Sequence, residues 1–267
     1  MRLNQLLKHL TYEHVQGSQS REITDICYHS GNVREGSLFV CLKGLHADGH
    51  DYLQGALEAG AAAVVVAAEN VVPLDNDALL YTEQFGVRIS EIIDRWKVSI
   101  VIAADTRHAL AELAAAFFDY PAAKLRMVGI TGTKGKTTSA LMLCSILNRG
   151  GVPAGYIGSN GIEFAGRHFE TKNTTPESLE LHYYFDQMVR AGIRAVVLEV
   201  SSQALYLNRV YGIRFAAVAF TNLAPDHIGE MEHPTFEHYR DSKKQLFSAY
   251  SSDYAVYNAE DGAAAYM

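Results

Sequence analysis

The chain has 267 residues, of which 48% are hydrophobic and 20% are charged; this is an ordinary globular composition, and the length suffices for two domains. Its formal net charge is −7 and its lysines and arginines form no stripe, so we expect no nucleic acid partner. The longest apolar run, 61–68, is far shorter than the roughly 20 residues of a membrane-spanning helix, and the three cysteines are widely spaced. We therefore expect a cytoplasmic protein with reduced thiols and no membrane span.

The first 104 residues predict a small mixed domain. Apolar runs at 36–44, 63–68 and 99–104 predict buried strands, and the apolar spacing of 52–61 predicts a helix.

At Asp105 the pattern becomes helical. Asp105 or Thr106 is positioned to cap a helix that Pro121 ends. We place the domain boundary on this helix and divide the chain into residues 1–104 and 105–267.

Strands and helices alternate through the second predicted domain. The predicted strands are 126–130, 195–200, 216–222 and 254–258, and the predicted helices are 136–149, 177–191 and 235–248. Short apolar strands separated by helices predict an α/β fold with a parallel sheet covered on both faces. No closing element follows the last strand, so we expect this domain to be incomplete at its C-terminus.

Residues 129–138, GITGTKGKTT, join a predicted strand to a predicted helix. Backbone N–H groups of such a turn point at a ligand, and the helix dipole adds partial positive charge. Lys136 would reach the outer phosphates of a nucleotide and Thr137 would bind Mg²⁺. The standard phosphate loop has glycine where this chain has Ile130, so this is a variant. The alternative is a glycine turn with surface lysines, but the order of strand, turn and helix favours a nucleoside triphosphate loop.

Polar residues follow the next predicted strands, at the sheet edge where ligands bind in such folds. Glu199 either holds Mg²⁺ or caps the strand end, and Ser201 could contact a substrate. Asp226 and His227 fall near the same edge, although a lone histidine there is more often structural. Lys243 lies on an amphipathic helix, where most lysines are only solvated.

The segment NTTPES, 173–178, predicts a loop leading into a helix, with Thr175 as N-cap and Pro176 at the first helical position. It is either a second helix N-terminus that receives an anionic group or a simple cap.

Taken in order and spacing, GTKGKTT, NTTP, EVSSQALYLNR, TNLAPDH and HYRDSKKQLF resemble the Mur ligases of peptidoglycan synthesis. The segment HSGNVREGSLFVCLKGLHADGHDY resembles the uridine-nucleotide domain of the same family. NTTP, and EVSS followed by Arg209, favour the MurE branch over the MurF branch.

The resemblance implies an ATP site and a metal site. The residues that would cradle the ATP phosphates are Gly132, Thr133, Lys134, Gly135, Lys136, Thr137 and Thr138, with Lys136 on the γ-phosphate. Two Mg²⁺ ions are implied, one shared by Thr137 and Glu199 and a second held with the help of His227. Lys243 matches a lysine that the family converts with CO₂ to a carbamate, an anion fit to bind a hard metal. The implied catalytic residues are Lys136, His227 and Lys243.

The resemblance to the Mur ligases also implies two substrate-binding regions. The uridine end would be lined by Tyr28, Ser30, Leu45, His46 and Ala47. The muramyl-peptide end would be held by Asn173, Thr174, Thr175, Ser201 and Arg209.

The implied reaction is ATP-dependent amide ligation. The D-glutamate carboxylate of UDP-MurNAc-L-Ala-D-Glu becomes an acyl phosphate, and the amine of L-Lys or meso-diaminopimelate attacks it. Two alternatives stay open: a non-catalytic binding or regulatory remnant of a Mur ligase, and another ligase of the superfamily such as MurF or a folylpolyglutamate synthetase.

The sequence departs from the family at several positions. Lys134 replaces a common asparagine, HSG at 29–31 replaces DSR, and Leu207 replaces a glutamine that contacts substrate. These residues end before the third, C-terminal domain of the family, so we expect a fragment of a longer protein rather than a naturally shortened homologue. We expect it to bind the UDP-substrate, and ATP weakly, but not to complete the ligation alone.

Overall fold

A computed structural model describes residues 1–44, 47–74, 77–81, 86–229 and 232–267. The chain forms two compact units, Met1–Phe117 and Phe118–Met267. The division falls after the helix on which the sequence analysis placed the boundary, rather than before it at 104/105. That helix belongs to the first unit because its apolar face, including Leu110 and Leu113, is buried and contacts strands of the first sheet.

The first unit consists of short elements. In chain order they are α1 (Leu3–Leu6), β1 (His14–Gln16), β2 (Asp25–Cys27), β3 (Ser37–Val40), α2 (Leu53–Glu58), β4 (Ala63–Ala67), β5 (Val71–Leu74), β6 (Asp77–Tyr81), β7 (Gly86–Arg88), α3 (Ile89–Trp96), β8 (Ser99–Ala103) and α4 (Thr106–Phe117). Five strands form a sheet in the order β1-β8-β4-β3-β2, parallel except for β1. Strands β5, β6 and β7 form a separate antiparallel sheet.

The core of this unit follows from its apolar runs. Every residue of β4 and β8 is buried, as expected of parallel strands covered on both faces. The oxygen Oδ1 of Asp105 accepts from the backbone N–H groups of Arg107 and His108, which makes Asp105 the cap of α4. The short strands β1 and β5 were not predicted: β1 has no apolar run, and the apolar residues of β5 include Pro73, which is unusual inside a strand.

The second unit is an open α/β sheet. Its elements are β9 (Arg126–Thr131), α5 (Lys136–Arg149), β10 (Ala154–Gly158), β11 (Gly161–Phe164), β12 (Arg167–Phe169), α6 (Ser178–Arg190), β13 (Ala195–Glu199), α7 (Ser202–Tyr206), β14 (Phe215–Phe220), α8 (Phe236–Ser248) and β15 (Ser252–Tyr257). The strand order is β12-β11-β10-β13-β9-β14-β15.

Five strands of this sheet, β10, β13, β9, β14 and β15, are parallel, which confirms the predicted α/β class. The antiparallel hairpin β11–β12 was not predicted; its turn places Ala165 and Gly166 at positive φ. Because β13, β9 and β14 are neighbours, Glu199, Thr131 and Phe220 end their strands at one edge. Residues that follow these strands therefore meet there.

Among the described residues, no helix is both long enough and apolar enough to cross a membrane. Cys27, Cys41 and Cys144 all carry free thiols.

Candidate functional site

The glycine loop between β9 and α5 is fixed by its neighbour after β14. Asn222 holds the loop at three points: its carbonyl accepts from Thr133 N (2.9 Å), its Oδ1 accepts from Lys134 N (2.9 Å), and its Nδ2 donates to Lys134 O (2.9 Å). At Gly132 φ is +141°, and a Cβ would collide with Oγ1 of Thr221. The loop therefore has a single preformed shape that leads into the first turn of α5, whose N–H groups have no intrahelical acceptors.

Lys136 is folded back over this loop. Its Nζ donates to the carbonyl oxygens of Gly132 (2.9 Å) and Thr133 (3.0 Å). Burial lowers the pKa of the Lys136 ammonium, while the carboxylates of Glu199 and Asp226 oppose this shift. The cation is thus held at the mouth of the loop.

A buried carboxylate faces the first turn of α5. Glu199 is fully buried at the end of β13, and its Oε2 accepts from Oγ1 of Thr137 at 3.0 Å. Its Oε1 accepts from the Tyr156 hydroxyl (2.5 Å) and from Ser159 N (3.1 Å). A Cβ on Gly158 would collide with this carboxylate, so glycine is needed there. Thr137 and Glu199, which the sequence analysis assigned to one shared Mg²⁺, are in contact.

Lys243 approaches the loop from α8. Its side chain is 1% exposed, its Nζ donates to Gly132 O at 3.0 Å, and it lies 4.3 Å from the centre of the Tyr239 ring. Burial, reinforced by the positive charge of Lys136, lowers the pKa of Lys243 to about 7. Lys136 and Lys243 thus share one carbonyl acceptor.

His227 and Asp226 follow β14 in an irregular loop. His227 has φ of +55°, and its Nδ1 lies 2.9 Å from Oε1 of Glu232. Asp226 pairs with Lys134 at 3.3 Å, and this hydrogen bond is the main cause of the lowered pKa of its carboxyl group. The described residues contain no group of three or more His, Cys, Asp or Glu side chains that could hold a metal alone.

Of the side chains described above, Lys136, His227 and Lys243 line one cleft of the second unit, which has a volume of about 410 Å³. Its described lining is Lys136, Ser159, Lys172, Asn173, Thr174, Ser201, Ser202, Gln203, Arg209, His227, Glu232 and Lys243. The lining includes four lysine or arginine side chains and one carboxylate, that of Glu232. The cleft therefore favours an anionic ligand.

The predicted role of Thr175 as a helix cap is wrong. Helix α6 begins at Ser178 and Glu177 precedes it, so Pro176 is not the first helical residue either. Thr175 is fully buried; its hydroxyl donates to Glu199 O (2.7 Å) and accepts from Ser201 N (3.0 Å). Thr175 does not cap the helix because its hydroxyl bonds the backbone groups at the end of β13 instead.

Arg209 supports the same wall of the cleft. Its Nε donates to Oε1 of Glu177 at 2.8 Å and its guanidinium donates to Thr175 O at 3.1 Å. Ser201 caps α7 by accepting from Ala204 N at 3.1 Å. Asn173, Thr174, Ser201 and Arg209 thus line the cleft, while Thr175 braces it from behind.

The residues predicted at the uridine end lie in the first unit. Tyr28 and Ser30 follow β2 and Ala47 follows β3, and these parallel neighbours bring them to one sheet edge. Leu45 and His46 lie outside the described residues.

Sequence reasoning missed a buried histidine at this edge. Nδ1 of His50 lies 2.5 Å from Oδ1 of Asp48, and Nε2 accepts from Ala67 N at 2.9 Å, so it ties its loop to the end of β4.

The sequence analysis also missed Tyr156 and Ser159, which hold Glu199, and Ser202 in the cleft wall. Tyr156 gave no signal because it lies in a strand interrupted by glycines. Ser202 could have been found, since it adjoins Ser201 in the motif EVSS.

Two family models match the chain. One described as the Mur ligase middle domain matches residues 130–267, and one described as Mur ligase family, catalytic domain, matches residues 22–118.

Curated relatives and solved structures agree with these models. The UDP-N-acetylmuramoyl-L-alanyl-D-glutamate–2,6-diaminopimelate ligases of Clostridium perfringens and Chlorobaculum tepidum are 38% and 41% identical over 98% and 92% of this chain. The chain spans about half the length of these relatives, 49% and 44%. A solved ligase of the same name superposes over 100% of this chain and 49% of its own, with a TM-score of 0.75 and 21% identity. MurF from Acinetobacter baumannii covers 99% of this chain and 50% of its own, with a TM-score of 0.61 and 20% identity. The two solved structures share this fold.

Proposed function

Since the chain belongs to the Mur ligase family, we propose that it carries the ATP and UDP-substrate sites of an ATP-dependent amide ligase of peptidoglycan precursor synthesis. The substrate is UDP-MurNAc-L-Ala-D-Glu and the product is its amide with a diamino acid. The names of the relatives favour 2,6-diaminopimelate over L-lysine as that amino acid. The observation that carries the proposal is the meeting of Lys136, Thr137, Glu199 and Lys243 around one glycine loop beside a cationic cleft.

The loop is the site proposed for the ATP phosphates. The residues proposed to cradle them are Gly132, Thr133, Lys134, Gly135, Lys136, Thr137 and Thr138. Backbone N–H groups of a strand–loop–helix turn bind anions, and the preformed loop needs no reorganisation to do so. Lys136 already lies over the loop, and phosphate oxygens would replace the carbonyl oxygens that it now contacts.

The residues present fit Mg²⁺. Thr137 and Glu199 offer a hydroxyl and a carboxylate in contact, and hard oxygen ligands suit this ion, with phosphate oxygens completing the shell. His227 is proposed to assist a second ion. When bound, the metal supplies charge neutralisation between the phosphates and the substrate carboxylate.

Lys243 fits the proposed carbamate for a separate reason. A lysine ammonium has no lone pair and cannot ligate a metal. Burial lowers the pKa of Lys243 to about 7, so the neutral amine, which is the form that attacks CO₂, is populated near neutral pH. Starting from the ammonium, carbamylation would replace a buried cation with an anion and release two protons, one when the amine forms and one when the carbamate forms.

The reaction itself requires no protein nucleophile. The D-glutamate carboxylate attacks the γ-phosphorus of ATP, the bond to ADP breaks, and an acyl phosphate forms. The amine then attacks the acyl carbon, phosphate leaves, and the nitrogen loses one proton. The contribution of the chain is to position the reactants and to compensate charge.

The substrate is proposed to contact each unit separately. Tyr28, Ser30 and Ala47, with Leu45 and His46, would hold the uridine end. Asn173, Thr174, Ser201 and Arg209 line the cationic cleft and would hold the muramyl dipeptide, whose carboxylates suit that charge.

The test is calorimetric titration of this chain with Mg·ATP and, separately, with UDP-MurNAc-L-Ala-D-Glu. We expect Lys136→Ala to weaken Mg·ATP binding about tenfold or more, because a charged hydrogen bond to phosphate is lost, and to leave UDP-substrate affinity unchanged. Lys97→Ala in the first unit is the control. Unchanged Mg·ATP affinity in Lys136→Ala would refute the ATP site.

A third titration, with UDP-MurNAc-tripeptide, separates the two branches of the family. A MurE-type site binds the dipeptide form more tightly, and the reverse preference would indicate a MurF-type site.

A further inference from the structure

A chain of three polar side chains leads away from the cleft and has no part in the reaction described above. Ser202 lines the cleft, and its Oγ lies 2.9 Å from Nε2 of His233. The other ring nitrogen of His233, Nδ1, lies 2.8 Å from Nδ1 of His238. His233 is fully buried and His238 is half-buried. The chain thus connects the cleft wall to helix α8.

Aromatic packing fixes both imidazole rings. The His233 ring packs edge-on against Tyr239 with 5.3 Å between ring centres, and the His238 ring packs edge-on against Tyr206 at 4.7 Å. Neither ring can turn without losing these contacts. The contacts between the nitrogens are therefore a lasting feature of the packing.

The number of protons on Ser202, His233 and His238 allows two arrangements of their hydrogen bonds. A neutral imidazole carries one N–H, and burial keeps His233 neutral by lowering its pKa to about 4. In the first arrangement, Nδ1–H of His233 donates to His238, and the Ser202 hydroxyl must donate to Nε2 of His233. In the second, Nδ1–H of His238 donates to His233, and Nε2–H of His233 donates to Ser202.

In one arrangement Ser202 offers the cleft a hydrogen-bond acceptor, and in the other it offers a donor. In the first, the hydroxyl hydrogen is used by His233, and only oxygen lone pairs face the ligand. In the second, Ser202 accepts from His233, and its own O–H is released as a donor toward the cleft. An anionic ligand is stabilised by a donor and repelled by lone pairs, so it selects the second arrangement.

We propose that Ser202 is a further substrate-contacting residue that donates its hydroxyl to a carboxylate of the bound UDP-muramyl peptide. His233 and His238 are positioning residues that turn this hydroxyl outward. The inference rests on the proposed function for the identity of the ligand. The inference adds a neutral hydrogen-bond donor to a cleft whose lining also holds the cations Lys172 and Arg209.

The test is a double-mutant cycle read by the affinity for UDP-MurNAc-L-Ala-D-Glu. We expect Ser202→Ala to weaken binding about tenfold, the usual loss for a hydrogen bond to a charged group. His233→Phe keeps the ring and removes both nitrogens, and it should weaken binding less. The double variant should bind as Ser202→Ala does, because His233 acts through Ser202. His168→Phe, on the exposed hairpin, is the matched control and should bind as the unaltered protein does.

A spectroscopic readout needs no variant. In the ¹⁵N spectrum of labelled histidines, His233 should be protonated at Nε2 in the complex with UDP-MurNAc-L-Ala-D-Glu. Protonation of His233 at Nδ1 in that complex, full affinity in Ser202→Ala, or additive losses in the double variant would each overturn the inference. A failure of the unaltered protein to bind this ligand would instead overturn the proposed function itself.

Discussion

Burial separates two neighbouring lysines that look alike in the sequence. Lys243 is 1% exposed and donates to the glycine loop, whereas Lys244 lies 4.1 Å from the centre of the Tyr266 ring. Neighbouring helical positions point about 100° apart, and Lys243 falls on the buried face with Tyr239 and Leu246, a spacing that the sequence analysis did not use. The desolvated lysine is the one whose amine form is accessible near neutral pH.

We predict a pH-dependent carbamate on Lys243. With ¹³C-bicarbonate, a carbamate resonance should appear above pH 7 and disappear as the pH falls below it, because the pKa of about 7 marks where the amine becomes ammonium. Lys243→Gln should abolish the resonance and Lys244→Gln should retain it. A resonance that survives Lys243→Gln would place the reactive amine elsewhere.

At the scale of elements, the ends of parallel strands explain what the sequence could predict. Alternating strands and helices predicted the α/β sheet. Because residues that follow parallel strands meet at the carboxyl edge of the sheet, the sequence also predicted that Glu199 and the phosphate loop would meet. Tyr156, which holds Glu199, was missed because Gly155 and Gly158 interrupt the apolar run of its strand. Thr175 was misassigned because its local sequence fits a cap, whereas its actual acceptor, Glu199 O, is distant in sequence.

The shape of the glycine loop makes a stability prediction. Gly132→Ala and Gly151→Ala both place a Cβ on a residue with positive φ, +141° and +79°, but only the first meets other atoms. Gly151→Ala should cost about 1–2 kcal/mol of unfolding free energy. Gly132→Ala should cost about 1–3 kcal/mol more, because its Cβ collides with Thr221 and the Asn222 backbone.

Urea unfolding followed by circular dichroism measures both glycine variants. Equal destabilisation of the two would mean that the loop relaxes away from Thr221, and that its shape is not fixed by this contact.

At the scale of the whole molecule, the sign of the net charge differs from the sign of the charge that lines the cleft. The chain has a net charge of −7, yet the described lining of one cleft in the second unit has four lysine or arginine side chains and one carboxylate. Composition excluded a broad polyanion-binding surface and gave no sign of this local site, because the cations come from separate segments of the chain. Folding the parallel sheet is what brings Lys136, Lys172, Arg209 and Lys243 together.

The central claim is that Thr137 and Glu199 hold a metal beside a nucleotide in the glycine loop. The most direct measurement is the affinity for ATP with Mg²⁺ and with EDTA, in the unaltered chain and in Glu199→Gln. We expect Mg²⁺ to strengthen ATP binding about tenfold or more in the unaltered chain, and to have little effect in the variant, which lacks the anionic ligand. Equal enhancement by Mg²⁺ in both proteins would contradict the account.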